Sequence, residues 1–237
     1  MREGTGHRTG PPRAFPGFVT PGTRHLQGMA HEMATKAIVG EKVGMTQVWD
    51  EAQRVVDEAI KLKSHNVVGI GIGGDERRAG PEQFREVYGH AANHGLRLTV
   101  HAGETVGAES IWGALRELKP DRIGHGLHAI DDPELVRYLA EKQIPVEVCI
   151  TSNVMTGCCG RLEDHPVRKL FDAGVLVVLN TDDPDMFHTT LVNEYQIAAD
   201  IFGFCDEELR QLARNSIRAS FLPEERKQEL LAHSGRA

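Results

Sequence analysis

Leu98-Thr99-Val100-His101-Ala102-Gly103-Glu104 reads as an apolar strand that stops at a histidine, two small residues and a glutamate. Strand ends are where α/β enzymes place their chemistry. A histidine can ligate a metal or move a proton near neutral pH. A glutamate three residues on can do acid–base work if its surroundings tune it. The same pattern recurs downstream. Gly124-His125-Gly126, Thr151-Ser152-Asn153 and Asn180-Thr181-Asp182-Asp183-Pro184 each follow an apolar run with polar residues.

Working outward, the pattern is regular from Asp57 onward. Helical spacing covers 57–64, 81–94, 108–118, 131–142, 165–173, 190–202, 207–220 and 223–232. Extended apolar runs cover 67–74, 96–100, 122–123, 145–150 and 175–179. Strand then helix, with strands apolar on both faces, means a parallel sheet covered by helices. The expected class is α/β, an incomplete TIM-type (β/α) barrel with its site at the strand C-termini. A doubly wound sheet is the alternative, but Gly71–Gly74 lacks the G-x-G-x-x-G spacing and acidic Asp75-Glu76 follow it. A complete barrel has eight strands over about 250 residues.

The 237 residues carry a net charge of -7, which argues against a nucleic-acid surface for the body of the chain. Cys149, Cys158, Cys159 and Cys205 form no C-x-x-C pair, so they read as reduced thiols of a cytoplasmic protein. No stretch approaches the length of a membrane span. Residues 1–32 are rich in Gly, Pro and Arg and read as a disordered tail that could touch RNA or have no partner at all. Residues 33–56, with Gly40–Asp50 as their core, resemble the opening of the bacterial large-subunit ribosomal protein number three family. They point to a fusion or a mis-joined reading frame, with short strands at 37–39 and 46–49. The domain body is expected at 57–237.

Among the polar residues, His101 and Asp182 suit a metal, since imidazole and carboxylate are good zinc ligands. Glu104 is a candidate proton donor in a dry pocket. His125, between two glycines, has an approachable ring. Asp182-Asp183 could instead cap the next helix. Thr151-Ser152-Asn153 is expected to line the pocket, and His90, His94, His128, His165 and His188 read as surface or supporting residues.

Val67–Glu76, His101-Ala-Gly-Glu104, Arg122-Ile-Gly-His-Gly126, Thr151-Ser-Asn153 and Leu179-Asn-Thr-Asp-Asp-Pro184 together resemble the adenosine deaminase family of metal-dependent amidohydrolase barrels, over about Asp57 to Leu231. The resemblance implies a zinc-dependent hydrolytic deamination of adenosine or a related aminated purine nucleoside, a small-molecule partner. It implies Zn2+ on His101 and Asp182, proton donation by Glu104, and orientation and deprotonation of water by His125. It also implies purine contacts from Asp183 and the Gly74 backbone. The family's first strand carries a His-x-His metal pair, and none occurs in this sequence. Two zinc ligands in place of four should weaken the metal severely. A catalytically inactive fragment or fusion product is therefore the competing expectation.

Overall fold

The computed structural model describes residues 49–234. The expected tail at 1–32 and residues 33–48 of the ribosomal-like segment lie outside them. The first described element is helix α1, Trp49–Lys61. It begins before the expected start at residue 57, and Trp49 opens a helix rather than ending a strand. Ala52, Val56 and Ala59, spaced i, i+4, i+7, bury one face and carry the helix across residue 56 as part of the core.

Five strands follow: β1 Gly69–Ile72, β2 Arg97–Ala102, β3 Arg122–His125, β4 Val146–Val148 and β5 Val177–Leu179. They form one sheet in the order β1-β2-β3-β4-β5, with every neighbouring pair parallel. This is the sequential order of a (β/α) barrel. Along β2, Leu98, Val100 and Ala102 are buried at 4%, 2% and 0% exposure, while Thr99 and His101 face the other way. Register aligns His101 with Gly124 and Gly124 with Glu147, so these positions share one face near the strand ends.

Helices cover the opposite face. Among them are α2 (Arg85–Asn93), α3 (Ala108–Glu117), α4 (Pro133–Lys142), α6 (Val167–Asp172) and α9 (Asp206–Ala219), which bury Ala91, Ile111, Leu135, Leu170 and Leu212 against the strands. The helix expected over 131–142 runs Pro133–Lys142. Asp132 caps α4 by accepting from the Glu134 and Leu135 amides at 2.9 and 3.3 Å, with Pro133 at the first helical position. No helix among the described residues is long and apolar enough to cross a membrane.

One expected strand is shorter than its apolar run. β4 stops at Val148, and α5 (Ile150–Met155) begins at once. Thr151, Ser152 and Asn153 therefore sit on a helix rather than at an extended strand end. The cause is a residue distant in sequence. Glu194 of α8 (Leu191–Asp200) reaches in fully buried and accepts from the Thr151 amide at 3.2 Å and from the Thr151 hydroxyl. This satisfies an amide that a helix start leaves unpaired. Among the described residues the other α-helices are α7 (Pro184–Phe187) and α10 (Glu224–Ser234).

Candidate active site

The strand ends bring the expected chemical residues together. His101 Nδ1 lies 3.2 Å from His125 Nε2, with the rings edge-on at 4.5 Å between centroids. Glu104 Oε2 lies 3.6 Å from the same His125 nitrogen. Donor atoms of His101, Glu104 and His125 all fall within 4.8 Å of one another. A cavity of about 230 Å³ opens beside them, lined by His101, His125, Glu147, Cys149 and Asp182, among others. Asp182 is held by the Ser152 hydroxyl, which donates to Oδ2 at 2.7 Å. A second cavity carries Gly74, Glu76 and His101 in its lining. Asp183 stands exposed at the start of α7, and its side chain does not cap that helix.

Backbone geometry explains why these residues stand where they do. Gly124 is required because a Cβ there would come within 2.7 Å of His101 Cδ2. His125 and Asp182 both adopt left-handed backbone, at φ 62° and 57°. That conformation is uncommon for a residue with a side chain, and it turns each strand end sharply toward the cavity. Glu104 is fixed through its main chain. The Glu76 carboxylate accepts from the Glu104, Thr105 and Val106 amides at 3.3, 3.1 and 2.9 Å. Sequence reasoning saw Glu76 only as an acid hostile to phosphate. Its role depends on a contact 28 residues away, which no local pattern signals.

Burial sets the electrostatics. His125, only 2% exposed, is pushed down to about 4, first by desolvation and then by nearby His101, against the pull of Asp182. The Cys149 thiol is pushed up by burial and then by surrounding carboxylates, which makes it unreactive. Cys158 Sγ lies 4.0 Å from Glu104 Oε1. All four cysteines are free thiols. His90 pairs with Asp57 at 3.0 Å, and His128 with Asp131 at 2.7 Å.

Of the two alternatives for His165, surface or supporting, the structure takes the second: it is 4% exposed, bonded to Asn153, and burial pushes it down to about 4. An unfolded chain takes up a proton on this ring near its ordinary value of 6.5, and the native chain refuses it until about 4. Stability present above pH 6.5 is therefore lost progressively as pH falls toward 4. Denaturant midpoints across this window should fall steadily, and His165→Gln should make that fall shallower. A slope unchanged by His165→Gln would exclude the ring as its source.

The family model described as adenosine deaminase matches residues 26–234. Aminodeoxyfutalosine deaminase of Streptomyces avermitilis is 46% identical over 162 residues, which cover 68% of this chain and 45% of that protein. The crystal structure of adenine deaminase from Arthrobacter aurescens superposes with a TM-score of 0.73 at 34% identity, covering 78% of this chain and 57% of that one. An amidohydrolase structure from Burkholderia ambifaria, with bound Zn, gives 0.73 at 30% identity, covering 80% and 53%. The chain thus spans about half the length of the first curated relatives it matches, between 45% and 53%. A match that runs through all five strands and every strand-end motif joins the histidine–glutamate–histidine cluster to one lineage: this chain belongs to the adenosine deaminase family.

Proposed function

We propose that the strand-end cluster serves hydrolytic deamination of an aminated purine, in which water adds at the carbon bearing the amino group and ammonia leaves. The observation that carries this reading is the convergence of His101, Glu104 and His125 within 4.8 Å, beside a cavity that also holds Asp182. The donor set fits zinc: imidazole nitrogen and carboxylate oxygen are its preferred ligands outside thiolate sites. His101 and Asp182 would hold the ion. Zinc bound there supplies a water whose pKa is lowered toward about 7.

The protein groups do the rest. Glu104, largely buried at 13% side-chain exposure, donates a proton to the ring nitrogen beside the reacting carbon. His125 orients the attacking water through Nε2. Ser152 holds the Asp182 carboxylate in place. The Gly74 backbone and Asp183 contact the purine ring, with Asp183 turning inward from its exposed position. The common chemistry of the relatives is an aminated purine ring, and adenosine, adenine and aminodeoxyfutalosine are the candidates within it.

A second reading is favoured by one observation: no His-x-His occurs in the 237 residues. In that reading the chain binds zinc weakly and turns over little or nothing. Zinc per chain on chelator-washed, zinc-dialysed protein separates the two, followed by ammonia release from the three candidates. Near-stoichiometric zinc with ammonia release supports the deaminase. A zinc-free, silent chain establishes the second reading.

A further inference from the structure

Four polar groups run in a buried line away from the site. Val167 N–H donates to His165 Nδ1 at 3.2 Å, His165 Nε2 meets Asn153 Oδ1 at 3.2 Å, and Asn153 Nδ2 meets His125 Nδ1 at 3.1 Å. His165, Asn153 and His125 are 4%, 0% and 2% exposed. A ring nitrogen that accepts a hydrogen bond carries no proton, so the proton of such an imidazole sits on its other nitrogen.

The direction of the line is set at one end. A backbone N–H can only donate. Val167 is the first residue of α6, where amides lack a partner within the helix. His165 Nδ1 therefore accepts, and its proton sits on Nε2. That proton goes to Asn153 Oδ1, which turns the Asn153 amino group toward His125. His125 Nδ1 must accept, and its own proton is left on Nε2, 3.2 Å from His101 and 3.6 Å from Glu104. Turning the Asn153 amide over fails. Its amino group would face the His165 Nε2 proton, and moving that proton to Nδ1 would set it against the Val167 N–H.

We infer that Asn153 and His165 are positioning residues that transmit the direction of the Val167 amide to His125, so that His125 presents a hydrogen-bond donor to the site. The inference rests on the proposed reading of His125 as a reaction-centre residue, and it deepens that reading. A water oxygen approaching Nε2 meets an N–H, so His125 holds the water without accepting its proton. Asp182 and Glu104 are the carboxylates at hand for that proton.

The test uses the full chain labelled with ¹⁵N-histidine and long-range ¹H–¹⁵N correlation spectra at neutral pH. His125→Gln and His165→Gln assign the two rings by loss of their signals. Both rings should show a protonated Nε2 and a bare Nδ1. Asn153→Asp keeps the shape and the acceptor facing His165 but replaces the donor facing His125 with an acceptor. In that variant His125 Nδ1 should become protonated while His165 is unchanged. A His125 proton on Nδ1 in the unaltered chain overturns the inference, as does a bare Nδ1 in folded Asn153→Asp. If Asn153→Asp does not fold, the unaltered chain decides alone. Ring protonation is read without turnover, so loss of the deaminase reading and loss of this inference give different results.

Discussion

Replacing Glu104 by glutamine should lower ammonia release from an aminated purine by about 10²–10⁴-fold at saturating zinc, with the fold intact. That is the range lost when a positioned general acid is removed. Glutamine has the same shape but cannot give up a proton of suitable acidity. The loop that carries residue 104 is held by Glu76 through backbone amides, which the substitution leaves untouched. The loss should therefore appear in kcat, with an unchanged melting temperature. The comparison needs parallel rate and unfolding measurements on both proteins. A rate within a few-fold of the parent would remove Glu104 from the chemistry and leave it a structural acid beside His125.

Glu194→Ala should cost about 3–5 kcal/mol of stability, because it leaves buried donors without an acceptor and opens a cavity. Glu194 is fully buried. Its carboxyl accepts from the Thr151 amide at 3.2 Å, from the Thr189 hydroxyl at 2.7 Å and from the Thr151 hydroxyl. Truncation strands all three donors at once. At about 2–4 °C per kcal/mol for a domain of this size, the melting temperature should drop by roughly 10 °C. Glu194→Gln keeps the volume and one acceptor oxygen, so it should fall between the two. Zinc retention should decline as well, because the start of α5 carries Ser152, which holds Asp182. A melting curve unchanged in Glu194→Ala would mean that α5 is held without this carboxylate.

The sequence was most legible where chemistry coincided with a local pattern. Apolar runs ending in polar residues located the five strands, and helical spacing over 131–142 located α4. His101, Glu104 and His125 stood out as candidates because strand ends concentrate function, and the fold brings donor atoms of all three within 4.8 Å of one another. What was not legible depends on long-range contact. Nothing in the helical spacing over 190–202 distinguishes Glu194, and Glu76 stands only as an acid after a glycine run. His165 had no neighbour in sequence to mark it as buried. Each acts on residues at least 12 positions away, and periodicity carries no information over that range. The start of α1 was obscured differently. The ribosomal-like resemblance drew attention away from Ala52, Val56 and Ala59, which carry a clear helical stripe.

The left-handed backbone at His125 and Asp182 bears on how this lineage can change. Each costs of order 1–3 kcal/mol relative to a residue at ease in that conformation. Glycine would ease the backbone at either position, but at 125 it would also empty a buried site and strand the Asn153 amide. Both residues line the cavity, so at these two strand ends the strained backbone and the lining fall on the same positions. A descendant that relaxed this backbone would do so at the expense of the cavity's lining.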